Sequence, residues 1–561
     1  MLPGVGNSGS NFPTPPRVHA APMNRRCFLH LTLAASTLPP AFPAAFRAAS
    51  AAPAAPPATG ELLPNGIRLP TPWPPATSTP VFKPSPPPFY LAQPPAVLPI
   101  DLGRQLFVDD FLIEHTTLQR RFHLPELHPA NPLIRPDQPW EKAGLAPMAA
   151  ILGDGVWFDF QDRLFKLWYM AGWRSGTALA VSEDGIRWRK PAFDIVPGTN
   201  LVHTGDRDST SIWLDASEAN PARRYKMFRS HREAQGTKVE WYFEIHTSAD
   251  GIHWSAPAGR SGAIYPRSTV GWNPARKVWI YSLRKDSSTA IGRCRRYYEC
   301  TDPITGADWG KEARHWWVGA DALDPARPGT TFQPQLTNID AVPYESVMLG
   351  LYTLWRGALN PDLGRPELND VCLGFSRDGF HFHRPDRRPF LAMSEERGAW
   401  NWGNVQPAAT PPIVVGDKLH FYFSGRSGAP GFPDGGGSTG LATLRRDGFA
   451  SLDAGDTEAS VTTRPVQFTG RHLFVNLATA PGGELRAEIL DADNRPIAPF
   501  TRENSVPLRT DQTRHAVKWQ GADDLAAVTG RPVRIRFHLR RASLYAFWTS
   551  RDPSGNTTAM S

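Results

Sequence analysis

The chain has 561 residues, of which 41% are hydrophobic and 20% are charged, a balance that supports a folded core and excludes wholesale disorder. Its 57 prolines, 47 glycines and 19 tryptophans favour a β-rich protein over a helical one. No apolar run has the length of a membrane span, so stable membrane insertion is not predicted. The formal charge of +8 would favour nucleic acid as a partner, unless the charge is confined to one segment.

The first 51 residues have the character of an export signal. Arg25 and Arg26 precede a moderately apolar stretch, and the small residues 49–51 offer a cleavage site. This pattern resembles a twin-arginine signal, so the sequence predicts export to the periplasm or the cell exterior. Because residues 1–22 look like an upstream extension, Met23 is an alternative start to Met1.

The positive charge is concentrated in that signal. The segment 1–51 holds four arginines and no acidic residue, which leaves a net charge of about +4 on the rest of the chain. No dense basic stripe remains, so nucleic-acid binding is not predicted. Beyond Cys27 in the signal, Cys294 and Cys300 might be expected to pair after export, but buried thiols are the favoured interpretation for them and for Cys372.

Residues 52–98 are dense in proline and end in a Pro-Ser-Pro-Pro-Pro run at 84–88. Proline fixes φ and donates no backbone hydrogen bond, so this segment is not expected to form a helix or a central strand. The sequence predicts an extended linker between the signal and the folded part of the chain.

Four segments share one hairpin signature, and a fifth is a degenerate copy of it. In the signature, Asp-Gly follows an apolar strand, and glycine accepts the positive φ that a tight turn requires. An aromatic residue shortly afterwards can pack back on the sheet. The segments are 181–188, 247–254, 375–382, 444–449 and the degenerate 301–309.

An apolar, aromatic strand precedes each signature, and the unit recurs about every 50 to 75 residues, which fits a four-stranded blade with long loops. These strands are 165–170, 225–228, 278–282, 348–352 and 419–423. Five copies predict a five-bladed β-propeller over residues 99–450.

From residue 451 the pattern changes to strict alternation of apolar and polar residues. The runs 471–477, 484–490 and 533–539 are apolar at every second position, which indicates strands with one buried and one wet face. The sequence predicts an antiparallel β-sandwich over 451–551, followed by a disordered tail at 552–561.

The Asp-Gly frame, followed by a second β domain, resembles the five-bladed glycosidases of the invertase, levansucrase and arabinanase type (glycoside hydrolase families 32, 68 and 43). It differs from the sialidase Asp-box, in which another residue separates Asp from Gly. The resemblance covers about 350 residues and implies an all-β chain, a five-bladed β-propeller followed by a β-sandwich domain. It also implies that an oligo- or polysaccharide is hydrolysed in the central funnel by paired carboxylates.

Catalytic candidates are acids at the start of the inner strands, because these positions face the funnel from every blade. Asp208 matches the Asp of the Arg-Asp-Pro segment of family 32, which implies transition-state stabilisation, although Ser209 replaces the proline. Asp340 stands in the inner-strand register of blade 4, and Glu141 falls near the expected acid of blade 1. We expect Asp340 and Glu141 to divide the acid and the base or nucleophile roles; for Asp208, capping of the turn before its strand is the structural alternative.

Blade 3 departs from the family pattern. Arg267 takes the place of Asp208 on that blade, and the strand has no glutamate where family 32 has its acid. The family's general acid therefore cannot be carried over by motif. Arg267 is expected to bind an acidic sugar or to hold a carboxylate in place, and a structural salt bridge is an equal alternative.

Further binding candidates come from blade 5 and from a strand before blade 1. Trp402, Asn404 and Gln406 combine a ring for stacking on sugars with amides for their hydroxyl groups, although core packing competes as the role of the tryptophan. Asp110 lies on an earlier strand that is expected to close the ring or to supply an acid.

Two other functions stay open beside hydrolysis. A glycoside phosphorylase would need a cationic cluster, for which Arg207 or Arg174 would join Arg267 in the funnel. A non-catalytic carbohydrate-binding propeller would bind without turnover and would lack converging acids. No Cys/His cluster or phosphate-binding loop is present in the sequence, so no metal or other cofactor is predicted, and no pattern predicts an oligomeric state.

Overall fold

The computed structural model describes residues 59–77, 80–236, 238–284, 291–310, 313–360 and 362–557. By its internal contacts the chain divides into Met1–Ala52 and Pro53–Ser561, and every described residue belongs to the second unit. The predicted export signal therefore lies outside the described residues. The described part contains little helix: an α-helical turn at Phe89–Ala92, 3₁₀ turns at Pro139–Lys142 and Pro221–Arg223, and a 3₁₀ conformation at Ala313. None of the helices described is long and apolar enough to cross a membrane.

The predicted five-bladed β-propeller is confirmed by five separate antiparallel sheets, each built from consecutive strands except that one N-terminal strand joins the fifth. Blade 1 consists of Ala149–Ala150, Val156–Asp159, Leu164–Ala171, Gly176–Ser182 and Leu201–His203. Blade 2 consists of Thr210–Leu214, Tyr225–Gln235, Lys238–Ser248 and Gly259–Arg260. Blade 3 consists of Thr269–Asn273, Val278–Arg284, Cys294–Cys300 and His315–Gly319. Blade 4 consists of Gln335–Tyr344, Val347–Gly357 and Leu368–Ser376. Blade 5 consists of Gly403–Pro407, Ile413–Val415, Lys418–Gly428, Gly436–Arg445 and Glu126–Leu127.

In blades 1, 2 and 4 the Asp-Gly signature follows the strands Gly176–Ser182, Lys238–Ser248 and Leu368–Ser376, and its polar side chains build the turn. In blade 1, Oγ of Ser182 accepts a 2.9 Å hydrogen bond from the Gly185 N–H. Oδ1 of Asp184 accepts bonds of 2.8 and 2.7 Å from the N–H groups of Ile186 and Arg187. Gly185 has a φ of 73°, as the pattern requires. The same bonds recur at Ser248 with Asp250 and at Ser376 with Asp378.

The ring is closed by an N-terminal strand. The outermost strand of blade 5 is Glu126–Leu127, which pairs antiparallel with Gly436–Arg445. The earlier strand proposed for this role, which carries Asp110, is not formed: bends and a turn replace it between Gln105–Leu106 and Ile113–Thr116, both of which pair outside the propeller. Closure by this distant segment joins the first and last parts of the propeller sequence. It also leaves Gly436–Arg445 of blade 5 without a free edge.

The C-terminal region forms one eight-stranded sheet together with strands from before blade 1. Its two longest strands, His472–Leu490 and Arg534–Ser550, pair antiparallel, and register shifts bend the pair. The other strands are Gln105–Leu106, Ile113–Thr116, Gln119–Phe122, Ala450–Ala454, Ala459–Thr463 and Asp511–Ala516. A separate two-stranded parallel pair joins Leu98–Pro99 to Val466–Gln467. The alternating strands are as predicted, whereas two distinct facing sheets of a sandwich stay a prediction.

The proline-rich segment differs from the extended linker that the sequence predicts. From residue 59 onward it packs on the C-terminal sheet, and its apolar residues Leu63, Ile67, Leu69 and Tyr90 are buried in that core. The prolines prevent regular structure, but the interspersed apolar side chains still supply surface to bury. At the other end, Trp548 Nε1 donates a 3.0 Å hydrogen bond to the carbonyl of Gly555, so the predicted tail is folded back through residue 557.

A buried polar network joins the propeller to the C-terminal sheet. The guanidinium of Arg104 lies 2.7 Å from Oδ2 of Asp447 and 3.9 Å from the ring centre of Trp548. Asp447 also accepts a 2.7 Å bond from the hydroxyl of Tyr344 at the end of the inner strand of blade 4. Burial, with the nearby Asp447 carboxylate, raises the pKa of Glu345 in the same turn. The cysteines at 294, 300 and 372 form no disulfide, in agreement with the interpretation as thiols.

Candidate active site

The inner strands of all five blades direct their first residues toward one central cavity. The strands run in the same sense in each blade, so their starting residues share one end of the funnel. These residues are Leu152 in blade 1, Asp208 in blade 2, Arg267 in blade 3, Thr337 in blade 4, and Asn404 and Gln406 in blade 5. The structure therefore brings together Asp208, Arg267, Asn404 and Gln406, which the sequence proposed separately.

The cavity has a volume of about 270 Å³ and is strongly cationic. Five arginines and two carboxylates line it, a surplus of three positive charges. The remaining lining is a mixture of apolar, aromatic and amide side chains. The residues are Leu152, Met170, Trp173, Arg174, Asp208, Arg267, Arg284, Arg293, Thr337, Glu367, Asn369, Asn404, Gln406 and Arg426.

Asp208 is held from two sides at the entrance of blade 2. Its Oδ1 accepts a 2.9 Å hydrogen bond from the main-chain N–H of Arg267, and its own N–H donates a 3.2 Å bond to Oγ of Ser230. Beneath it, Arg207 is fully buried and pairs with Asp154 at 2.8 Å. Arg207 is therefore a structural link between blades 1 and 2, and of the two arginines proposed to join Arg267 only Arg174 lines the cavity.

A chain of amide contacts runs from blade 3 to blade 5. Nη2 of Arg267 donates a 2.6 Å bond to Oε1 of Gln406, and Nε2 of Gln406 donates a 3.0 Å bond to Oδ1 of Asn404. Arg267 and Asn404 have φ values of 65° and 49°, in the left-handed region that costs a non-glycine residue about 1 to 3 kcal/mol. Such backbone strain at two neighbouring cavity residues is typical of functional sites.

Bulges at the start of the inner strands decide which side chains face the cavity. In blade 4, Leu336 pairs with Leu354 and Asn338 with Thr353, which leaves Thr337 as an extra residue. A similar shift between Gly403 and Gln406 carries Asn404 in blade 5. A strand bends at a bulge and its alternation is interrupted, so period-two reasoning from sequence assigns the wrong face there.

Polar atoms in the cavity wall lack partners within the described part of the chain. Asn369 is fully buried, and neither Nδ2 nor Oδ1 of its amide has a hydrogen bond. The same holds for Oγ1 of Thr337 and for Nε and Nη1 of Arg267. Because buried polar groups are normally hydrogen-bonded, this wall is arranged for a polar ligand that supplies both donors and acceptors.

Glu367 is the second cavity carboxylate, and the sequence reasoning missed it. It directly precedes the third strand of blade 4 and forms a 2.9 Å ion pair with Arg293 of blade 3. Its carbonyl accepts a 2.8 Å bond from the N–H of Asn404. The candidate acids all came from the starts of inner strands. In blade 4 the strand Leu368–Ser376 starts at the same end of the blade as the inner strand Gln335–Tyr344. An acid just before a third strand is the signal that would have found it.

Asp340 lies on the inner strand of blade 4 but outside the cavity wall. It is 3% exposed, and its Oδ1 accepts a 2.8 Å bond from Nδ2 of Asn338. Burial raises its pKa, and the neighbouring Arg267 and Arg295 oppose that shift. The expected role of Asp340 as the acid or base is thus not supported by its position, and it is a buried acid near Arg267 and Arg295.

Glu141 and Asp110 also lie away from the cavity. Glu141 is buried in the 3₁₀ turn Pro139–Lys142, where it accepts a 2.6 Å bond from the Tyr169 hydroxyl and pairs with Lys190 at 2.8 Å. Asp110 is exposed and pairs with Arg120. Both acids make structural contacts instead, and neither contributes to the pair of carboxylates.

Trp402, which the sequence proposed for stacking on a sugar, does not line the cavity, whereas Trp173 does. Trp402 is buried outside the cavity wall, and the guanidinium of Arg365 lies 5.2 Å from its ring centre. Trp173 lines the cavity instead, with the guanidinium of Arg426 4.6 Å from its ring centre. Among the described residues, no group of His, Cys, Asp and Glu is arranged to hold a metal ion.

Known proteins offer only distant likenesses to this chain. No family model matches it, and no curated protein does. The solved structures similar to it include a thermostable family-43 glycoside hydrolase, with 12% identity over 53% of this chain and 91% of that one and a TM-score of 0.36. The β-1,2-mannobiose phosphorylase of Listeria innocua has 14% identity over 57% and 96%, with a TM-score of 0.36. The family-32 β-fructofuranosidase of Bombyx mori has 10% identity over 76% and 95%, with a TM-score of 0.36. At such values the propeller assignment rests on the strand pairing of this chain, and its function on the cavity.

Proposed function

We propose that the protein is an enzyme that hydrolyses a glycosidic bond of an oligo- or polysaccharide in the propeller funnel. The observation that carries this proposal is the placement of two carboxylates, Asp208 and Glu367, in the wall of one cavity built by all five blades. Glycoside hydrolysis uses two carboxylates, one to protonate the leaving oxygen and one to act as base or nucleophile. A binding module without catalysis has no need for a converging pair.

The two carboxylates are fixed in different ways. Asp208 is oriented by the Arg267 N–H through one oxygen, which leaves its other oxygen for the ligand. Glu367 is oriented by its ion pair with Arg293. Around them, Trp173 offers a ring face for a sugar, and Asn369 and Asn404 offer amides for hydroxyl groups. This pair replaces the Asp208, Asp340 and Glu141 set that the sequence proposed.

The test is product chromatography after incubation with a panel of plant and microbial oligosaccharides. Asp208→Asn and Glu367→Gln keep the size of each side chain and remove its charge, and each should lower turnover at least about 100-fold. Asp110→Asn is the matched control, because this carboxylate is exposed and distant from the cavity, and it should retain full turnover. Full activity in both cavity variants, with folding intact, would refute the assignment.

A glycoside phosphorylase is the second candidate, and the cationic cavity favours it. Arg174 and Arg267 both line the funnel, and arginine is well suited to bind phosphate. Such an enzyme would use one carboxylate as acid and phosphate as the attacking group. Cleavage that requires inorganic phosphate and yields a sugar phosphate would support it, whereas cleavage in phosphate-free buffer supports hydrolysis.

We also propose that the protein is exported through a twin-arginine signal in residues 1–51. The paired Arg25 and Arg26 ahead of a moderately apolar stretch support this proposal. Replacing both arginines by lysine should retain the protein in the cytoplasm of an expressing bacterium, with the signal uncleaved. Export of the Arg25→Lys, Arg26→Lys protein at the normal level would refute it.

A further inference from the structure

Three of the five cavity arginines form no ion pair with an acid among the described residues. Arg293 pairs with Glu367 at 2.9 Å, and Arg174 lies 3.6 Å from Asp206. In contrast, the guanidinium groups of Arg284 and Arg426 form no hydrogen bond or ion pair with any described residue. The guanidinium of Arg267 donates a hydrogen bond to the neutral amide of Gln406, and its Nε and Nη1 have no hydrogen-bond partner among the described residues.

The surroundings increase this positive potential. Arg295 stands behind the wall, fully buried, and none of its three side-chain nitrogens has a hydrogen bond within the described residues. Burial lowers the pKa of Arg267 and Arg284, and it lowers that of Arg426 to about 10. Guanidinium groups remain charged in proteins, and a buried charge is costly unless it is paired, so an anionic ligand would stabilise all three. A neutral ligand in this cavity would leave these three guanidinium groups without an ion-pair partner among the described residues.

The neutral polar atoms of the wall distinguish between kinds of anion. Oδ1 of Asn369 is a buried acceptor without a partner, and Oγ1 of Thr337 accepts as well as donates. A fully ionised inorganic anion supplies acceptors only and would leave Oδ1 of Asn369 unsatisfied. A sugar with an acidic substituent supplies hydroxyl donors for the amide and oxygen acceptors for the guanidinium groups.

We propose that the funnel binds an acidic oligosaccharide, whose central sugar carries a carboxylate or a sulfate ester held by Arg267, Arg284 and Arg426. Arg426 stacks over Trp173, so one side of the anion site is continuous with the ring face that receives the sugar. Asn369 and Thr337 of blade 4, which lies between blades 3 and 5, bind hydroxyl groups of the sugar. This inference rests on the proposed function only in taking a glycan as the ligand.

The experiment compares acidic oligosaccharides with matched neutral partners. Uronic-acid oligosaccharides are paired with their methyl esters, and sulfated oligosaccharides with their desulfated forms. Binding to the wild-type protein is measured by calorimetry, and cleavage in the same samples by product chromatography. At least one acidic member should bind tenfold or more tightly than its neutral partner, with a preference that weakens as salt is raised.

Variants test whether the three arginines cause the preference. Arg284→Gln and Arg426→Gln remove one charge each, and each should reduce the preference for the acidic member about tenfold. Arg187→Gln is the control, because Arg187 is exposed on the Asp-Gly turn of blade 1, and it should leave the preference unchanged. Circular dichroism and thermal unfolding verify that each variant is folded.

The outcomes separate this inference from the proposed activity. If neutral members are cleaved and no acidic member binds better, the inference is overturned while glycoside hydrolysis stands. If acidic members bind preferentially but none is cleaved, the inference stands and the hydrolase proposal fails. If only inorganic phosphate binds, and Arg426→Gln abolishes that binding, the anion is free phosphate and the acidic sugar is refuted. A protein that binds no member of any pair refutes it as well.

Discussion

Arg267 of blade 3 reaches across the funnel to Gln406 of blade 5, and the 2.6 Å hydrogen bond between Nη2 and Oε1 bypasses the blade that lies between them. Arg267 also donates its main-chain N–H to Asp208 of blade 2. One residue thus fixes the relative positions of the carboxylate of blade 2 and the amides of blade 5. Its left-handed backbone is maintained by this set of contacts.

Replacing Gln406 with leucine should destabilise the protein and release Arg267. The guanidinium would lose its observed hydrogen-bond acceptor and remain buried, at a cost of about 1 to 3 kcal/mol in the free energy of unfolding. Urea denaturation measures this cost. Gln161→Leu is the matched control, because Gln161 also accepts a hydrogen bond from an arginine but is exposed, so its effect should stay within about 0.5 kcal/mol. Equal effects of the two substitutions would contradict the importance of the buried bond.

Gly153 of blade 1 packs directly against the same arginine. A Cβ at this position would lie 3.2 Å from Nη1 of Arg267 and 3.1 Å from the carbonyl of Thr210, and the residue has a φ of 86°. Gly153→Ala should therefore cost both backbone strain and the displacement of Arg267, and turnover should fall with stability. Gly198→Ala separates these effects, because Gly198 has a φ of 80° but no atom within 4 Å of a Cβ. The strain is common to both variants, so a loss of activity in Gly153→Ala alone, measured at equal folded fraction, identifies the contact with Arg267.

A buried histidine makes stability depend on pH. His420 is 6% exposed on the second strand of blade 5, and burial, with the nearby His128 and Lys418, lowers its pKa to about 4. His420 takes up a proton near pH 6.5 in the unfolded chain but only near pH 4 in the folded chain. The free energy of unfolding therefore decreases as the pH falls from 6.5 to 4. The loss amounts to about 2 to 3 kcal/mol between pH 7 and pH 4.

His420→Gln should flatten that part of the profile, which denaturant unfolding between pH 4 and 7.5 would measure. His253→Gln is the contrasting variant, because this histidine should contribute to stability with the opposite pH dependence. Asp250 and Asp194 raise the pKa of this exposed histidine, so its contribution is present at low pH and disappears as the pH rises through its raised pKa. A wild-type profile that keeps its slope in His420→Gln would assign the acid sensitivity to another group.

The sequence was sufficient to predict the blades because each carries its own local signal. The Asp-Gly turn is built by Ser and Asp side chains from within six residues, so the signature at Ser182 and Asp184 is readable without any tertiary information. The second strands are equally clear, since their apolar, aromatic runs are buried. Closure of the ring was not predictable in this way, because Glu126–Leu127 is two residues long and obtains its position from Gly436–Arg445 alone.

The sequence predicted Asp208, Arg267, Asn404 and Gln406 of the candidate site, but it misplaced Asp340 beyond the bulge of blade 4 and missed Glu367 on another strand. Asp208 and Arg267 were found from their shared register. Asp340 was misplaced because the bulge at Thr337 interrupts the alternation that the register argument assumes. Glu367 was missed because its proximity to Arg293 and Asn404 arises from the arrangement of blades 3, 4 and 5, which no local pattern records.

The network between the propeller and the C-terminal sheet gives the last prediction. Arg104 is 1% exposed, contacts Asp447 at 2.7 Å and Glu345 at 3.9 Å, and stacks on Trp548. Arg104→Met keeps much of the side chain's apolar length but leaves two buried acids without this cation. Removing one partner of a buried pair costs about 3 to 5 kcal/mol in the free energy of unfolding.

The same substitution on an exposed arginine provides the comparison. Arg187 pairs with Asp184 at 3.5 Å on the surface, and Arg187→Met should cost less than about 1 kcal/mol. Because the network joins two regions, limited proteolysis of Arg104→Met should also cleave between residues 447 and 472 faster than in the wild type. A variant that unfolds within 0.5 kcal/mol of the wild type and resists proteolysis equally would show that apolar packing, and not the Arg104 network, holds the C-terminal sheet against the propeller.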